Sequence, residues 1–153
     1  MAPVDDELWI EELGELSADA EQALRGLVSQ LSQRASAPTS SELREIASSP
    51  ATHLLVARDS AGTIVGMLTL AVFRIPTGVR AWIEDVVVDQ RARGRGVGRR
   101  LTEKAVDLAR SHGARTVELT SRPSRTAANQ LYRSLGFNER ETNVYRLSIE
   151  GRR

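Results

Sequence analysis

The sequence predicts a mixed α/β fold. Three observations carry that prediction. Two helical patterns lie near the N-terminus, and three strand-like segments follow over residues 52–89. From Ala81 to Thr120 a strand, a glycine-rich turn, a helix and a strand then succeed one another. A strand, helix, strand order of that kind returns the chain to one sheet as a parallel crossover. At 153 residues the chain suits one compact domain with a real core.

The elements can be justified in order. Leu8 to Leu13 reads as a first strand, although Glu11 and Glu12 weaken the pattern. Ser17 is a good N-cap for "SADAEQALRGLVSQL", where Ala20, Leu24, Leu27, Val28 and Leu31 recur at helical spacing. "ASAPTSS" breaks that helix. Thr39 and Glu42 have capping-box spacing for a short helix over Ser40 to Ser48, which Pro50 stops. "THLLVARD" and "TIVGMLTLAVF" flank the turn "SAG" and predict a hairpin. "RIPTGVR" reads as a loop. "AWIEDVVVD" is a third strand, apolar on both faces near its end, as a covered central strand would be. "VGRRLTEKAVDLARSHG" is an amphipathic helix with Gly113 as its C′ residue. "ARTVELTS" is a strand, "PSRTAANQLYRSLGF" a helix capped by Ser124 and closed by Gly136, and "TNVYRLSI" a last strand.

Composition narrows the chemistry. The formal net charge is +1, so the chain as a whole does not seek polyanions. There is no cysteine, hence no disulfide, thiol nucleophile or thiolate metal site. With His53 and His112 the only imidazoles, no metal is expected. The N-terminal "MAPVDDELWIEEL" is acidic, not basic and then apolar, so it does not read as a secretory leader. No apolar run approaches the roughly 20 residues that span a bilayer. The expectation is a cytoplasmic protein without a membrane partner.

The oddest stretch is "VVVDQRARGRGVGRRL". Between Gln90 and Arg100 five arginines surround Gly94, Gly96 and Gly98 with no acid among them. A helix start leaves amides unpaired and carries positive partial charge. Glycines let a ligand approach that backbone, so the turn suits a phosphate or pyrophosphate. It lacks the Lys-Ser/Thr of a Walker loop, and its G-x-G-x-G spacing departs from the dinucleotide fingerprint. The plainer alternatives are a solvated surface turn and a nucleic-acid tract. The latter is disfavoured, because no aromatic lies between Trp82 and Tyr132 and the glycines are locked between two elements.

Arg93-Gly94-Arg95-Gly96-Val97-Gly98 fits the R/Q-x-x-G-x-G/A motif of the GCN5-related N-acetyltransferases, the GNAT family. The preceding "IEDVVVD" and the later "NQLYRSLGF" fall in the family's order, so the resemblance covers Thr52 to Ile149. "IEDVVV" is most similar to the glucosamine-phosphate acetyltransferase branch. The resemblance implies a mostly antiparallel central sheet with a parallel, splayed strand pair and helices on both faces. It implies one acetyltransferase domain over 1–153, with residues 1–50 a helical acceptor-side segment and 51–149 an acetyl-CoA-binding core. Acetyl-CoA is the implied cosubstrate. Arg93, Gly94, Arg95, Gly96, Val97, Gly98 and Arg99 would cradle its pyrophosphate, and Val86, Val87 and Val88 would pair with the pantetheine arm. Tyr132 matches the tyrosine that protonates the departing thiolate. From spacing alone it is equally a core residue on the apolar stripe of its helix. Many members carry asparagine seven residues before that tyrosine; here the position is Arg125, and Asn129 stands three before it. Both are candidate CoA contacts.

Attack on a thioester needs a neutral amine, so some group must accept a proton. Glu84 and Asp85 are the candidates, as base or substrate ligand. Strand alternation would point them to opposite faces and give them different tasks. The plainer role for one of them is an ion pair with Arg80 or Arg115. Trp82, Arg74, Thr77, Arg80 and Tyr145 are further candidates for the acceptor border. His53 reads as a packing or surface residue, and His112 as a helix-end residue. The function expected is transfer of acetyl from acetyl-CoA to a primary amine of a small molecule or peptide, in a ternary complex. The alternatives are a non-catalytic CoA-binding sensor or scaffold and, less well supported, a nucleic-acid binder. A homodimer fits the habit of relatives, which join through sheet edges or C-terminal strands.

Overall fold

A computed structural model describes residues 7–150. The N-terminal and C-terminal ends of the single-domain expectation, 1–6 and 151–153, lie outside the described residues. The chain forms two compact units, Met1–Thr120 and Ser121–Arg153.

In the first unit, five strands lie in the order β1-β2-β3-β4-β5. They are β1 (Trp9–Glu12), β2 (Thr52–Arg58), β3 (Ile64–Ile75), β4 (Gly78–Val88) and β5 (Val117–Glu118). The first three neighbouring pairs are antiparallel and β4–β5 is parallel. Helix α1 (Ala18–Leu31) starts at Ser17, whose hydroxyl accepts from Ala20 N–H. Helix α2 (Ser40–Ser48) starts in a complete capping box between Thr39 and Glu42. Both starts are where the cap residues place them.

The sheet is covered on both faces. Leu54, Val56, Met67 and Val87 form one core with Leu24 and Leu27 of α1 and Leu43 of α2. Helix α3 (Val97–Ser111) packs against the other face of β2, β3 and β4. The adjacent residues Gly66 and Met67 show the division, since successive strand residues point to opposite sides. Met67 enters the α1/α2 core, whereas the Cβ direction of Gly66 points at Val97 and Leu101 of α3. Among the described residues, no helix is long and apolar enough to cross a membrane.

In the second unit, α4 (Thr126–Ser134) ends in a well-formed C-cap. Phe137 N–H donates to the Tyr132 carbonyl and Gly136 N–H to the Arg133 carbonyl, each at 3.0 Å. Gly136 takes φ 95°, the left-handed conformation this Schellman stop requires. The Phe137 ring meets the Tyr132 ring edge-on at 5.8 Å. The L-Y-x-x-L-G-F string therefore fixes both the carbonyl and the ring of Tyr132.

Four expectations need correction. "RIPTGVR" is not a loop, because β3 runs to Ile75 and β4 begins at Gly78, leaving Pro76 and Thr77 as a two-residue turn. Strand β5 shrinks to Val117–Glu118. The segment "TNVYRLSI" has strand alternation but no strand among its residues, and Val144, Tyr145, Leu147 and Ile149 are all exposed. Alternation marks a strand only where a partner supplies the ladder. Finally, α4 is capped at Arg125, not Ser124, and without a side-chain cap bond.

Candidate functional site

The geometry of β4 changes halfway along the strand. Its parallel ladder with β5 consists of Ala81↔Val117 and Trp82↔Glu118. From Ile83 onward, the β5-facing edge of β4 has no described ladder partner. On the other edge, Thr69 pairs with Glu84 and Met67 with Val87, so Leu68 alone faces Asp85 and Val86. That extra residue is a β-bulge. Asp85 sits in it at φ 50°, the only described non-glycine residue at positive φ. Aspartate tolerates this region better than most residues. The bulge overturns the simple alternation expected of Glu84 and Asp85. It also places Glu84 and Val87 on the α1/α2 side of the sheet, three residues apart. Both acids are exposed, and neither is the partner of Arg80, which lies 3.7 Å from Glu118.

Beyond β4 the chain makes a turn built to open a helix. Asp89 accepts from Arg91 N–H at 3.0 Å and begins the short 3-10 turn Gln90–Ala92. Gln30 of α1 accepts from Gln90 N–H at 3.0 Å, a brace that no sequence pattern announced. Asp89 was legible as a turn former two residues ahead of Arg91. Hydrogen bonds from the Arg91 backbone and guanidinium hold its carboxyl below the ordinary value of 3.8. Ala92 is buried, Arg93 Nε donates to the Val88 carbonyl at 3.4 Å, and the turn is thereby tied to the strand end.

Gly94 and Gly96 take φ 79° and 76°. An ideal Cβ on either would meet no atom within 4 Å, so the space before them is open. Gly96 caps α3 with no side-chain bond, and the helical ladder begins with Arg100 N–H donating to the Gly96 carbonyl at 3.1 Å. The amides of Val97 and Gly98 precede that ladder. Alternating left-handed residues at a helix start form an anion-binding concavity. Arg99 reaches along α3 to Glu103 at 3.8 Å. Gly66 was missed in the sequence. Its missing Cβ lets α3 sit close to β3, since a methyl there would lie 2.9 Å from Val97 Cγ1 and 3.2 Å from Leu101 Cδ1. A lone glycine inside a strand was the available signal.

The second unit holds Arg125, Asn129 and Tyr132. Asn129 Nδ2 donates to the Arg122 carbonyl at 3.0 Å, so its amide braces the entry to α4. Tyr132 is 7% exposed. Burial pushes its phenol above the ordinary value of 10.0, while the charge of Arg125 opposes that rise. The hydroxyl is therefore a proton donor at neutral pH. His53 is buried, with Nδ1 2.6 Å from Glu12 and its ring 4.7 Å from that of His112, at the end of the sheet away from the glycine turn. Both act in packing.

The fold and this turn define an acyl-transfer enzyme. The chain matches the Acetyltransferase (GNAT) family over residues 16–137. It is 35% identical over 137 residues to Glucosamine 6-phosphate N-acetyltransferase 1 of Oryza sativa subsp. japonica, covering 83% of this chain and 80% of that protein. It is 38% identical over 94 residues to the N-alpha-acetyltransferase RimI of Mycobacterium tuberculosis, covering 61% of this chain and 56% of that one. A solved aminoglycoside acetyltransferase from an uncultured soil metagenomic sample, in complex with trehalose, shares the fold. Its TM-score is 0.80 at 24% identity, over 92% of this chain and 95% of that one. The chain belongs to the GNAT family of acetyltransferases, enzymes that use acetyl-CoA and acetylate amines.

Proposed function

We propose that the protein transfers the acetyl group of acetyl-CoA to a primary amine of a small molecule or peptide by direct attack, with both substrates bound at once. The observation that carries this reading is the open second half of β4 leading straight into two left-handed glycines and a helix start. Such an edge suits an amide-bearing arm, and such a turn suits its pyrophosphate. We further propose that the chain acts as one catalytic domain, with the helical segment over residues 1–50 on the acceptor side and residues 51–149 as the acetyl-CoA core.

Bound acetyl-CoA supplies an electrophilic thioester. Backbone groups of Val86, Val87 and Val88 hold the pantetheine arm. The turn from Arg93 through Gly94, Arg95, Gly96, Val97 and Gly98 to Arg99 holds the phosphates. Arg125 and Asn129 add to the CoA contacts. Glu84 accepts the proton of the incoming ammonium, with Asp85 beside it, and leaves nitrogen a free lone pair. Tyr132 donates its phenolic proton to the leaving sulfur.

The test is thiol release from acetyl-CoA in the presence of small amines, polyamines, amino sugars and peptide N-termini. Tyr132→Phe should lower kcat by ~100-fold while acetyl-CoA still binds. A thermal melt gives a simpler check. Acetyl-CoA at 100 times its Kd should add about 2.7 kcal/mol and several degrees. No thermal shift with acetyl-CoA or CoA would end this reading.

A further inference from the structure

We propose that the amine acceptor is a polycation without an anionic group, seated on an aromatic strip formed by Trp82 and Phe73. The inference rests on the reading of Glu84 as the group that takes the ammonium proton. It goes further, to the chemical class of the substrate.

The register places the strip. Phe73 pairs with Arg80, Ala71 with Trp82 and Thr69 with Glu84. Trp82 also pairs with Glu118 across the parallel ladder. Cross-strand partners share a face. Phe73, Arg80, Trp82, Glu84 and Glu118 therefore lie on one side of the sheet, and the Arg80–Glu118 contact at 3.7 Å accords with that. It is the side that carries Met67 and Val87 into the α1/α2 core. The helices cover that core, but the hairpin end of β3 and β4 extends past it. Phe73 there is 43% exposed, Trp82 is half-buried and Glu84 is exposed. Opposite Trp82 stands Ala71, so no large cross-strand neighbour covers the indole.

Charge selects the occupant. The strip and the adjoining bulge carry three carboxylates, Glu84, Asp85 and Glu118, against one guanidinium, Arg80, already held by Glu118. A second ammonium finds carboxylates and aromatic faces here, both attractive to a cation. A phosphate finds carboxylates. The 35% identical rice protein is named for glucosamine 6-phosphate, and this strip argues for a different acceptor. Linear polyamines and aminoglycosides share the required chemistry, namely several ammonium groups on an uncharged skeleton.

The experiment uses the purified full chain with acetyl-CoA and four acceptors: spermidine, kanamycin, glucosamine and glucosamine 6-phosphate. One of the two polycations should exceed glucosamine 6-phosphate in kcat/KM by at least ~10-fold, and which of them leads separates the linear from the ring-borne source. Phe73→Ala and Trp82→Ala should each raise the KM for that polycation by ~3- to 10-fold, with acetyl-CoA binding unchanged. Trp82→Phe should restore most of the loss. Phe73 is exposed, so its variant reports on the strip even where Trp82→Ala impairs folding. Preference for glucosamine 6-phosphate would overturn the proposal and leave the acetyltransferase reading standing. An acceptor KM indifferent to both aromatic variants would overturn it too. Absence of thiol release with every amine would overturn both.

Discussion

The two halves of β4 divide the reaction between them. From Gly78 to Trp82 the strand belongs to a hairpin with a two-residue turn and touches β5 on its other side. From Glu84 to Val88 it carries a bulge, loses its β5 partner and runs into the glycine turn. The first half presents side chains: an aromatic, an ion pair and a carboxylate. The second half presents backbone. A site that must accept one unchanging cosubstrate is well served by backbone, which substitution cannot easily alter. A site that must choose among amines is better served by side chains. Substitutions in the first half should therefore move acceptor parameters, and those in the second half donor parameters.

The largest break is expected at the boundary. Glu84→Gln keeps the shape and hydrogen-bonding reach of the side chain but cannot take a proton. It should lower kcat by ~100- to 1000-fold at neutral pH. The loss should shrink as pH rises and more amine arrives already neutral. A uniform loss across pH would assign Glu84 to binding and move the proton to Asp85 or water. The next largest effect belongs to the donor half. Gly96→Val forces a β-branched residue into φ 76° and puts a side chain into the open space before the turn. The left-handed conformation alone costs roughly 1–2 kcal/mol. The Kd for CoA measured by calorimetry should rise ~10-fold or more, while the acceptor KM stays put.

Gly66→Ala sharpens the same division with a smaller effect. The added methyl would sit 2.9 Å from Val97 Cγ1, and Val97 is the first residue of α3. Valine is stiff at χ1, so the helix start must shift by a few tenths of an ångström. We expect a rise of roughly 3- to 5-fold in the KM for acetyl-CoA and a loss of about 1–3 kcal/mol in stability from overpacking. Gly66 faces α3, whereas Glu84 and Trp82 face the other way. An effect of Gly66→Ala on the acceptor KM alone would contradict the assignment of the two faces.

The same halves differ in how far the sequence disclosed them. The helix caps at Ser17 and Thr39, the hairpin, the crossover and the glycine turn were all legible, because each depends on chemistry within a few residues. The bulge at Asp85 was not. Its signature is a mismatch of register between β3 and β4, and register is a property of the pair. Gln30 bracing Gln90 spans 60 residues, so no local pattern could reveal it. The C-terminal "TNVYRLSI" shows the reverse failure. Its alternation is local and real, but a strand also needs a ladder partner. Tyr132 lay between these cases: its position in L-Y-x-x-L-G-F was visible, and the Schellman bonds that fix it explain the string.

The smallest effect concerns stability at alkaline pH. Burial holds the Tyr132 phenol above its ordinary value of 10.0, with Arg125 acting against the rise. The unfolded chain therefore releases this proton first as pH increases. The buried phenol contributes stability that is fully present below pH 10 and is lost as pH climbs through the folded value. Every other group that titrates there is common to the wild type and Tyr132→Phe. The two should consequently melt with a constant difference up to about pH 9, and the wild type should then lose stability faster. Parallel curves through about pH 11 would mean that Tyr132 titrates as it does in the unfolded chain. The phenol would then be solvated, and its place as a buried proton donor to the leaving thiolate would have to be given up.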